Sequence, residues 1–384
     1  MDFQLTEEQK MIQQAARDFA VNECLPGVIE RDEHEIFPRE QIEKLADLGF
    51  LGMFVDQKYD GAGLDNVSYV LAMEEISKID ASVSVCMSVN NSLVNYGLQE
   101  FGTEAQKEKY LKPLARGKKD GKLYIGAFLL SEPEAGSDAT HQRTTAVDMG
   151  DHYVINGVKN WITNGGVASV FLVMAQTHPE KNSHGINTFI VESNWPGVQI
   201  GNKENKMGIR ASDTRSISFQ DVIVPKENRI GDDGFGFTFA MKTLAGGRIG
   251  IASQALGIAQ GAMDRAVAYS KERKAFGVPI KNHQIIQFKL ADMATRIEAA
   301  RMLCLKAAWE KDHNVDYSQS SSMAKVFASE TAMWVTTEAV QIHGGYGYVK
   351  EYHVERLMRD AKITQIYEGT SEIQRIVISR SILK

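Results

Sequence analysis

The sequence predicts an α+β protein with an N-terminal all-α domain, a central β-barrel or sandwich and a C-terminal helical bundle. Its 384 residues are more than one compact core usually supports. Helical periodicity fills both ends of the chain, whereas its middle holds several strand-like segments with no helical segment between them. We therefore expect domains at residues 1–122, 123–229 and 230–384.

The N-terminal domain opens with a helix signal. Thr6 and Gln9 have the spacing of a capping box, and Ile12 and Phe19 follow at helical spacing. The helical pattern continues to about residue 120. This part of the chain is therefore expected to be all-α.

The central segment has the pattern of a β domain. Residues 153–155 and 158–161 flank Asn156-Gly157, a pair that supplies the positive φ angles of a tight turn, so they predict a β-hairpin. Residues 170–174 and 188–191 are apolar runs typical of buried strands. A small barrel or sandwich is favoured over a parallel sheet because no helices separate these strands.

The C-terminal segment contains a stripe of apolar residues spaced alternately four and three apart. Such a stripe is typical of the seam between near-antiparallel helices in a bundle. Its members are Ile286, Leu290, Met293, Ile297, Ala300, Cys304 and Ala307. We assign this stripe to packing and not to chemistry.

Composition and charge argue against several classes of function. A net charge of −6 argues against sequence-independent nucleic-acid binding, and no apolar run is long enough for membrane insertion. Cys24, Cys86 and Cys304 are few and far apart, which fits a reducing compartment with no disulfide framework and no metal site. Residues 1–5 lack a basic start and an apolar segment, so we expect no signal or transit peptide and a cytoplasmic location.

Residues 366–375 are the first candidate for a catalytic segment. Gly369 and Thr370 suit a bend followed by a helix start, which leaves Glu368 at the helix entrance beside Tyr367 and an open glycine. Desolvation in such a half-apolar place raises the pKa of a carboxylate and makes it a better base. The residues alone leave open that Glu368 merely caps or decorates a surface loop.

Three further segments are candidates for ligand contact. The loop 131–138 contains Pro and Gly and can present backbone N–H groups to a ring or a phosphate, although alone it is read as a turn. Trp161 and Thr163 share one face of a strand, or else are a core Trp beside a surface Thr. The glycine-rich segment 246–252 could be read as a phosphate-binding loop, but its glycines lack the spacing of a dinucleotide-binding fingerprint.

Residues 357–375, the 131–138 loop and residues 161–165 closely resemble the matching segments of the acyl-CoA dehydrogenases. The resemblance runs in collinear order from residue 5 through almost the whole chain. It implies a helical domain, a β domain and a four-helix bundle, with non-covalently bound FAD. It also implies oxidation of an acyl-CoA to a trans-2-enoyl-CoA, in which Glu368 takes the α-proton while a hydride leaves the β-carbon for flavin N5.

The resemblance also implies roles for individual residues. Contacts to the flavin ring and its pyrophosphate are implied for Phe128, Leu130, Ser131, Ser137, Trp161 and Thr163, with Trp161 shielding the ring and the Thr163 hydroxyl reaching N5. Residues that reach the FAD of a neighbouring subunit are Arg273, Phe276, Gln284, Gln341, Gly344 and Gly345, and the FAD contacts are completed by Thr370 and Glu372. Acyl-CoA contacts are implied for Ser137, Gly247, Arg248, Tyr367 and Gly369.

Departures from the family pattern narrow the substrate. Some members carry the base at the position of Gly247, which is empty here, so Glu368 is the consistent assignment. Ser84 stands where glutaryl-CoA dehydrogenases have an arginine for the distal carboxylate, so a dicarboxylyl substrate is disfavoured. Ala245 replaces an Asp that is frequent in the family, and this change removes a polar contact to the CoA arm. Residues 247–260 look most like the short-chain, butyryl-CoA branch.

The resemblance implies an electron-transferring flavoprotein as electron acceptor and a homotetramer built as a dimer of dimers. Two alternatives remain. One is an acyl-CoA oxidase, which shares the first half-reaction but uses oxygen and is usually longer. The other is a non-catalytic flavin- or CoA-binding assembly protein, against which Glu368, Trp161, Thr163 and Arg273 together speak.

Overall fold

The computed structural model describes residues 4–383. Helices fill its N-terminal and C-terminal parts, and a large β-sheet lies between them. The predicted fold class is therefore confirmed. The absence of a leader peptide was predicted from residues 1–5. Of these, residues 1–3 lie outside the described part of the chain.

The N-terminal part consists of short helices, three of which continue into π-helical turns. Thr6 caps the first helix through the predicted capping box with Gln9, because each side chain bonds the other residue's backbone N–H. The helices are α1 (Glu7–Phe19), α2 (Val28–Glu33), α3 (Arg39–Asp47), α4 (Asn66–Ser77), α5 (Ala81–Ser88), α6 (Tyr96–Phe101), α7 (Glu104–Gln106) and α8 (Lys112–Arg116). The π-helical turns are Ala20–Cys24, Val89–Asn95 and Lys107–Leu111.

The central part is an eight-stranded sheet preceded by a short hairpin. The hairpin strands are β1 (Lys118–Lys119) and β2 (Lys122–Leu123). The sheet contains β3 (Gly126–Leu129), β4 (Thr145–Asp148), β5 (His152–Thr163), β6 (Val170–Gln176), β7 (Ile186–Glu192), β8 (Val198–Lys203), β9 (Thr214–Pro225) and β10 (Arg229–Ile230). Its order is β10-β7-β6-β4-β5-β9-β8, and β3 pairs in parallel with β6.

The hairpin predicted at Asn156-Gly157 was wrong, because β5 runs through this pair without turning. Strand β9 pairs with β5 on both sides of the pair, and the register shifts between Ile155 and Gly157. Between these pairs β5 has one residue, Asn156, and β9 has two, Gln220 and Asp221, so the extra residue of β9 forms a bulge. The Asn156 side chain exchanges hydrogen bonds of 3.0 and 2.8 Å with Asp221 of β9, which stabilises the bulge.

The C-terminal part is a bundle of long helices. Its elements are α9 (Gly236–Glu272), β11 (Lys274–Ala275), β12 (Val278–Pro279), α10 (Gln284–Asp312), α11 (Ser318–His343), α12 (Val354–Ile363) and α13 (Ser371–Ile382). The predicted stripe lies on α10 and faces the core: five of its seven residues are buried and the other two pack against the core. The prediction that this stripe is a packing seam is confirmed.

Helix α9 joins the N-terminal part to the bundle. Every residue of 68–77 in α4 is buried, and α9 contacts α4 closely through glycines. A Cβ on Gly257 would lie 2.4 Å from the Glu74 carbonyl oxygen, and one on Gly261 would lie 2.3 Å from that of Lys78. Glycine is therefore needed where the two backbones meet. Arg301 of α10 also forms a 2.9 Å ion pair with buried Glu74.

The predicted domain boundaries fall inside two short strands, β2 and β10. Their placement remains a prediction. Across residues 4–383, no helix is both long and apolar enough to cross a membrane. The same residues contain no cluster of three His, Cys, Asp or Glu side chains suited to a metal ion.

Candidate active site

Glu368 lies in the bend between α12 and α13. Its φ is 53°, and that of Gly369 is 92°, so two consecutive residues have left-handed backbone conformations. For a non-glycine residue this conformation costs on the order of 1 kcal/mol, and such strain is common at functional sites. Thr370 then caps α13 by accepting a hydrogen bond from the Ile373 backbone N–H at 3.3 Å. The helix entrance predicted beside Glu368 is present.

Two buried side chains hold this bend. The Gln374 side-chain nitrogen donates to the carbonyl oxygens of Glu368 and Gly369, at 3.2 and 2.9 Å. The Lys325 ammonium of α11 donates to the Gly369 carbonyl oxygen at 2.6 Å. Both side chains come from packed helices, so the bend is fixed by tertiary contacts as well as by its own glycine.

The Glu368 carboxylate rests against α9 at Gly247. A Cβ on Gly247 would lie 2.2 Å from Oε2 of Glu368 and 2.8 Å from Cδ2 of Leu93. Oε2 is buried and has no hydrogen-bond partner among residues 4–383. An unsatisfied buried carboxylate oxygen of this kind is costly, which points to a functional use of the group.

Burial sets the acid strength of this carboxyl group. Desolvation raises the pKa of Glu368 to about 7, against the opposing charges of Lys325 and Arg248. Burial in turn lowers the pKa of Lys325 to about 8, and it lowers the pKa of Arg248. Arg248 is buried on α9 and donates to the Ser322 hydroxyl oxygen at 3.3 Å. Glu368 thus has the acid strength of a general base for neutral pH.

A neutral polar chain begins at Tyr367, the residue before Glu368, and runs through α9 to α5. The Tyr367 hydroxyl donates to the side-chain oxygen of Gln254. The Gln254 side-chain nitrogen donates to the Ala81 carbonyl oxygen at 2.9 Å and to the Ser84 hydroxyl oxygen at 3.3 Å. Ser84 also accepts a 2.8 Å hydrogen bond from Ser77. Ser84 of α5 is therefore linked through Gln254 to Tyr367, the residue that precedes Glu368.

The first set of predicted cofactor residues lies on β3, β5 and the loop after β3. Phe128 is half-buried and stacks on Phe239 at 6.4 Å, whereas Trp161 is 61% exposed and lies in a β-bulge of β5. Leu130, Ser131 and Thr163 are half-buried and Ser137 is exposed. The exposure of Trp161 excludes its reading as a core residue.

A buried ion pair anchors the loop that follows β3. Lys159 of β5 is fully buried and forms a 2.7 Å ion pair with Glu132. The same ammonium donates to the Leu130 carbonyl oxygen at 3.1 Å. The Asn160 backbone N–H donates to the Ser131 carbonyl oxygen at 2.8 Å. The loop is therefore held to the strand that carries Trp161 and Thr163.

The second set of predicted cofactor residues lies at one end of the bundle and faces outward. Arg273, Gln284, Gln341, Gly344 and Gly345 are exposed, as is Phe276 at 97%. Three of them, Arg273, Gly344 and Gly345, line an open cavity of about 580 Å³ that also contains Tyr269 and Tyr346. Within the described chain, no hydrogen bond, ion pair or ring contact joins this set to Trp161 or Thr163. Of the last two predicted cofactor residues, Thr370 is half-buried and Glu372 is exposed.

The geometry of the first set of predicted cofactor residues suits a flavin ring. Trp161 presents a large exposed aromatic surface next to Thr163, an arrangement suited to stacking on a flat heterocycle while a hydroxyl reaches its edge. Nothing lies within 4 Å of a Cβ built on Gly136, Gly344 or Gly345, so these backbones are open to a ligand. The residues present are therefore compatible with a bound flavin.

Sequence reasoning missed four buried residues that shape the site: Lys325, Gln374, Gln254 and Lys159. Lys325 gave one usable signal, because it is the only charge within the small and apolar run 323–328. Such a position is typical of a buried helix face. Gln374 and Gln254 gave no comparable signal.

Comparison with known proteins extends this picture. The sequence matches the family models described as acyl-CoA dehydrogenase N-terminal domain over residues 6–118, middle domain over 127–222 and C-terminal domain over 234–383. A curated relative, the short-chain-specific acyl-CoA dehydrogenase of Clostridium acetobutylicum, is 52% identical over 384 residues, with 100% of both chains covered.

Solved structures agree with the sequence matches. The structure of butyryl-CoA dehydrogenase from Megasphaera elsdenii superposes with a TM-score of 0.97 at 50% identity, with 100% of both chains covered. A chain in a structure reported for the electron transferring flavoprotein of Acidaminococcus fermentans superposes with a TM-score of 0.98 at 51% identity, again over 100% of both chains. Since three family models span most of the sequence and full-length relatives share half of it, the chain belongs to the acyl-CoA dehydrogenase family.

Proposed function

We propose that this protein is an FAD-dependent dehydrogenase of short-chain acyl-CoA thioesters that forms trans-2-enoyl-CoA. The observation that carries this proposal is Glu368, whose buried Oε2 lacks a partner and whose pKa is about 7. A group of this kind can remove a weakly acidic carbon-bound proton at neutral pH. Relatives named short-chain-specific acyl-CoA dehydrogenase support the same reaction.

The residues around Glu368 support proton removal from the α-carbon. Within residues 4–383, no group accepts a hydrogen bond from the Glu368 backbone N–H. This donor is therefore available to a thioester carbonyl oxygen, where it stabilises the charge that develops as the α-proton leaves. The fixed bend keeps donor and carboxylate in one geometry. When bound, FAD supplies the chemistry of accepting a hydride from the β-carbon.

The family implies a flavin cofactor, and we assign it as FAD held by two chains. In this proposal Phe128, Leu130, Ser131, Trp161 and Thr163 contact the ring. The outward-facing set at the end of the bundle supplies Arg273, Phe276, Gln284, Gln341, Gly344 and Gly345 to a neighbouring chain. Its exposure supports this, because an arginine beside two open glycines suits a pyrophosphate that comes from outside the chain.

The two-chain cofactor site makes an oligomer necessary, and we propose a homotetramer. Thr370 and Glu372 complete the cofactor contacts, and Ser137, Gly247, Arg248, Tyr367 and Gly369 contact the acyl-CoA. Sedimentation of the flavin-loaded protein tests the tetramer. A monomer that retains its flavin would contradict the two-chain site.

The neutral polar chain beside the base supports a substrate with an uncharged acyl end. Tyr367, Gln254 and Ser84 are linked by hydrogen bonds and carry no formal charge, so they offer no cation to pair with a distal carboxylate. Butyryl-CoA is the proposed substrate, in line with the butyryl-CoA dehydrogenase to which the chain is similar. Glutaryl-CoA is expected to be a poor substrate.

An anaerobic titration followed by the flavin's visible absorbance tests the proposal. Butyryl-CoA is expected to bleach the flavin at lower concentration than octanoyl-CoA, isovaleryl-CoA or glutaryl-CoA. The variant Glu368→Gln is expected to slow bleaching by at least roughly 10²-fold while keeping the flavin bound. Glu8→Gln on exposed α1 is the matched control. No bleaching by any of these thioesters would refute the dehydrogenase, and rapid peroxide formation during turnover would favour the oxidase.

We also propose an electron-transferring flavoprotein as the electron acceptor and a cytoplasmic location. A structure reported for such a flavoprotein contains a chain highly similar to this one, which supports the first point. Reoxidation of the substrate-reduced enzyme by the purified flavoprotein tests the acceptor. Cell fractionation tests the location.

A further inference from the structure

One face of α11 supplies polar groups to both sides of the candidate base. Ser322 accepts a hydrogen bond from Arg248 of α9, and Lys325, one turn later, donates to the Gly369 carbonyl oxygen. Lys325 is completely buried, and its neighbours Ala324 and Ala328 are small and buried too. Small residues let α11 pack closely enough for the ammonium to reach the bend.

Lys325 has no carboxylate within ion-pair distance among residues 4–383, and the Gly369 carbonyl oxygen is the single acceptor of its ammonium there. An ammonium has three N–H donors. A buried cation without a paired anion is costly, and a neutral side chain would hold one carbonyl oxygen more cheaply. The charge therefore calls for a use beyond the backbone contact.

We propose that Lys325 is a positioning residue for the base: its ammonium fixes the Gly369 carbonyl and thereby the aim of the Glu368 carboxylate over Gly247, and its charge keeps that carboxylate ionised. The inference rests on the proposed dehydrogenase function. It concerns a residue that does not touch the reacting carbon atoms.

The charged and titratable groups that face Glu368 come from four elements. Lys325 of α11 and Arg248 of α9 both stabilise the carboxylate. Tyr69 of α4 and Tyr367 of the bend have pKa values raised by burial, so both stay neutral at neutral pH. Among the described residues, removal of the Lys325 charge leaves Arg248 as the one cation that stabilises the carboxylate, so the pKa of Glu368 must then rise.

The test compares wild type with Lys325→Met, Lys325→Gln and Lys325→Arg. Lys325→Met keeps the side-chain volume but removes the charge and the N–H donors. Lys325→Gln keeps an N–H donor without the charge. Lys325→Arg keeps the charge and the N–H donors. The matched control is Lys306→Met on the exposed side of α10. The flavin-loaded proteins are mixed rapidly and anaerobically with saturating butyryl-CoA across a range of pH, and the rate of flavin bleaching is recorded.

Two results are expected. In Lys325→Met and Lys325→Gln the acid limb of the pH–rate profile moves upward by about one pH unit, because a nearby cation typically lowers a carboxyl pKa by about 1–3 units. At pH 7 Lys325→Met bleaches at least about tenfold more slowly, with little change in the butyryl-CoA concentration needed for half-saturation. Lys325→Arg returns the acid limb to its wild-type position.

Specific outcomes overturn the inference. A uniform loss of rate with an unmoved acid limb would mean that Lys325 only supports the fold. Wild-type kinetics in Lys325→Met would mean that Lys325 neither positions the Glu368 carboxylate nor keeps it ionised. If Lys325→Met loses its flavin, Lys325→Gln decides, because it retains the donor to Gly369. Failure of wild type itself to bleach with any acyl-CoA would instead refute the proposed function, on which this inference depends.

Discussion

Replacing Gly247 by alanine tests the contact between α9 and the base. The added Cβ would lie 2.2 Å from Oε2 of Glu368 and 2.8 Å from Cδ2 of Leu93. The first distance is at least about 1 Å shorter than ordinary van der Waals contact, so the carboxylate must move by about that much. Gly247 lies within a helix, where alanine is favoured over glycine by about 0.5–1 kcal/mol. The variant is therefore expected to fold.

A displacement of about 1 Å at a catalytic group can cost roughly 10²-fold in rate, or about 2.7 kcal/mol of transition-state stabilisation. We expect Gly247→Ala to bleach its flavin with butyryl-CoA between about tenfold and 10²-fold more slowly than wild type, with an unchanged flavin content. Rapid anaerobic mixing measures this rate. The loss should appear in the rate at saturation, because the base acts after the substrate is bound.

The neighbouring glycine provides the control. A Cβ on Gly246 would meet the Lys311 ammonium at 3.0 Å, and the end of a lysine side chain can move away. Gly246→Ala should therefore bleach at nearly the wild-type rate. A Gly247→Ala rate within about threefold of wild type would refute the argument that this glycine makes room for the base.

Three further predictions concern pH and stability. The bleaching rate should rise with pH through about 7, since the proposed base, Glu368, can accept a proton only when ionised, and a profile flat from pH 5 to 8 would contradict this. The folded-state pKa of Glu368 lies above the usual 4.5, so its protonation stabilises the folded state below pH 4.5, and this stabilisation is lost as pH rises through 7. Glu368→Gln should then be more stable than wild type at pH 8 by up to about 3 kcal/mol but not at pH 4.5, as measured by urea unfolding. Lys159→Met should destabilise the protein by about 3–5 kcal/mol, because it leaves Glu132 buried without its partner, and an unchanged urea midpoint would refute this.

Local patterns predicted those parts of the fold that local interactions determine. The capping box at Thr6 needs only four consecutive residues, and it is present. The α10 stripe repeats over six turns, so its inward orientation follows from periodicity alone. Asn156-Gly157 is the contrasting case. This pair is typical of a tight turn, but here β9 pairs with β5 on both sides of it. That pairing joins residues far apart in sequence, so the residues around Asn156 cannot predict it.

The candidate site divides in the same way. The bend at Glu368 is predictable because its glycine, its helix cap and its apolar neighbours are adjacent in sequence, whereas a role as base was implied only by the family resemblance. Lys325 lies 44 residues away from its acceptor, Gly369, and a lysine is ordinarily a surface residue, so its burial follows only from the packing of α11. The link between Gln254 and Tyr367 spans 113 residues. Long-range partners of this kind are invisible to periodicity and spacing.

The all-round burial of α4 has a consequence for biosynthesis. Residues 68–77 are covered on every side by other parts of the chain. One of these parts is α9, whose glycines contact the α4 backbone. The ion pair between Glu74 and Arg301 joins residues 227 positions apart. When the ribosome has released only the first third of the chain, α4 still lacks the surface that covers it. The nascent N-terminal part therefore cannot complete the packing of α4 until α9 and α10 have emerged.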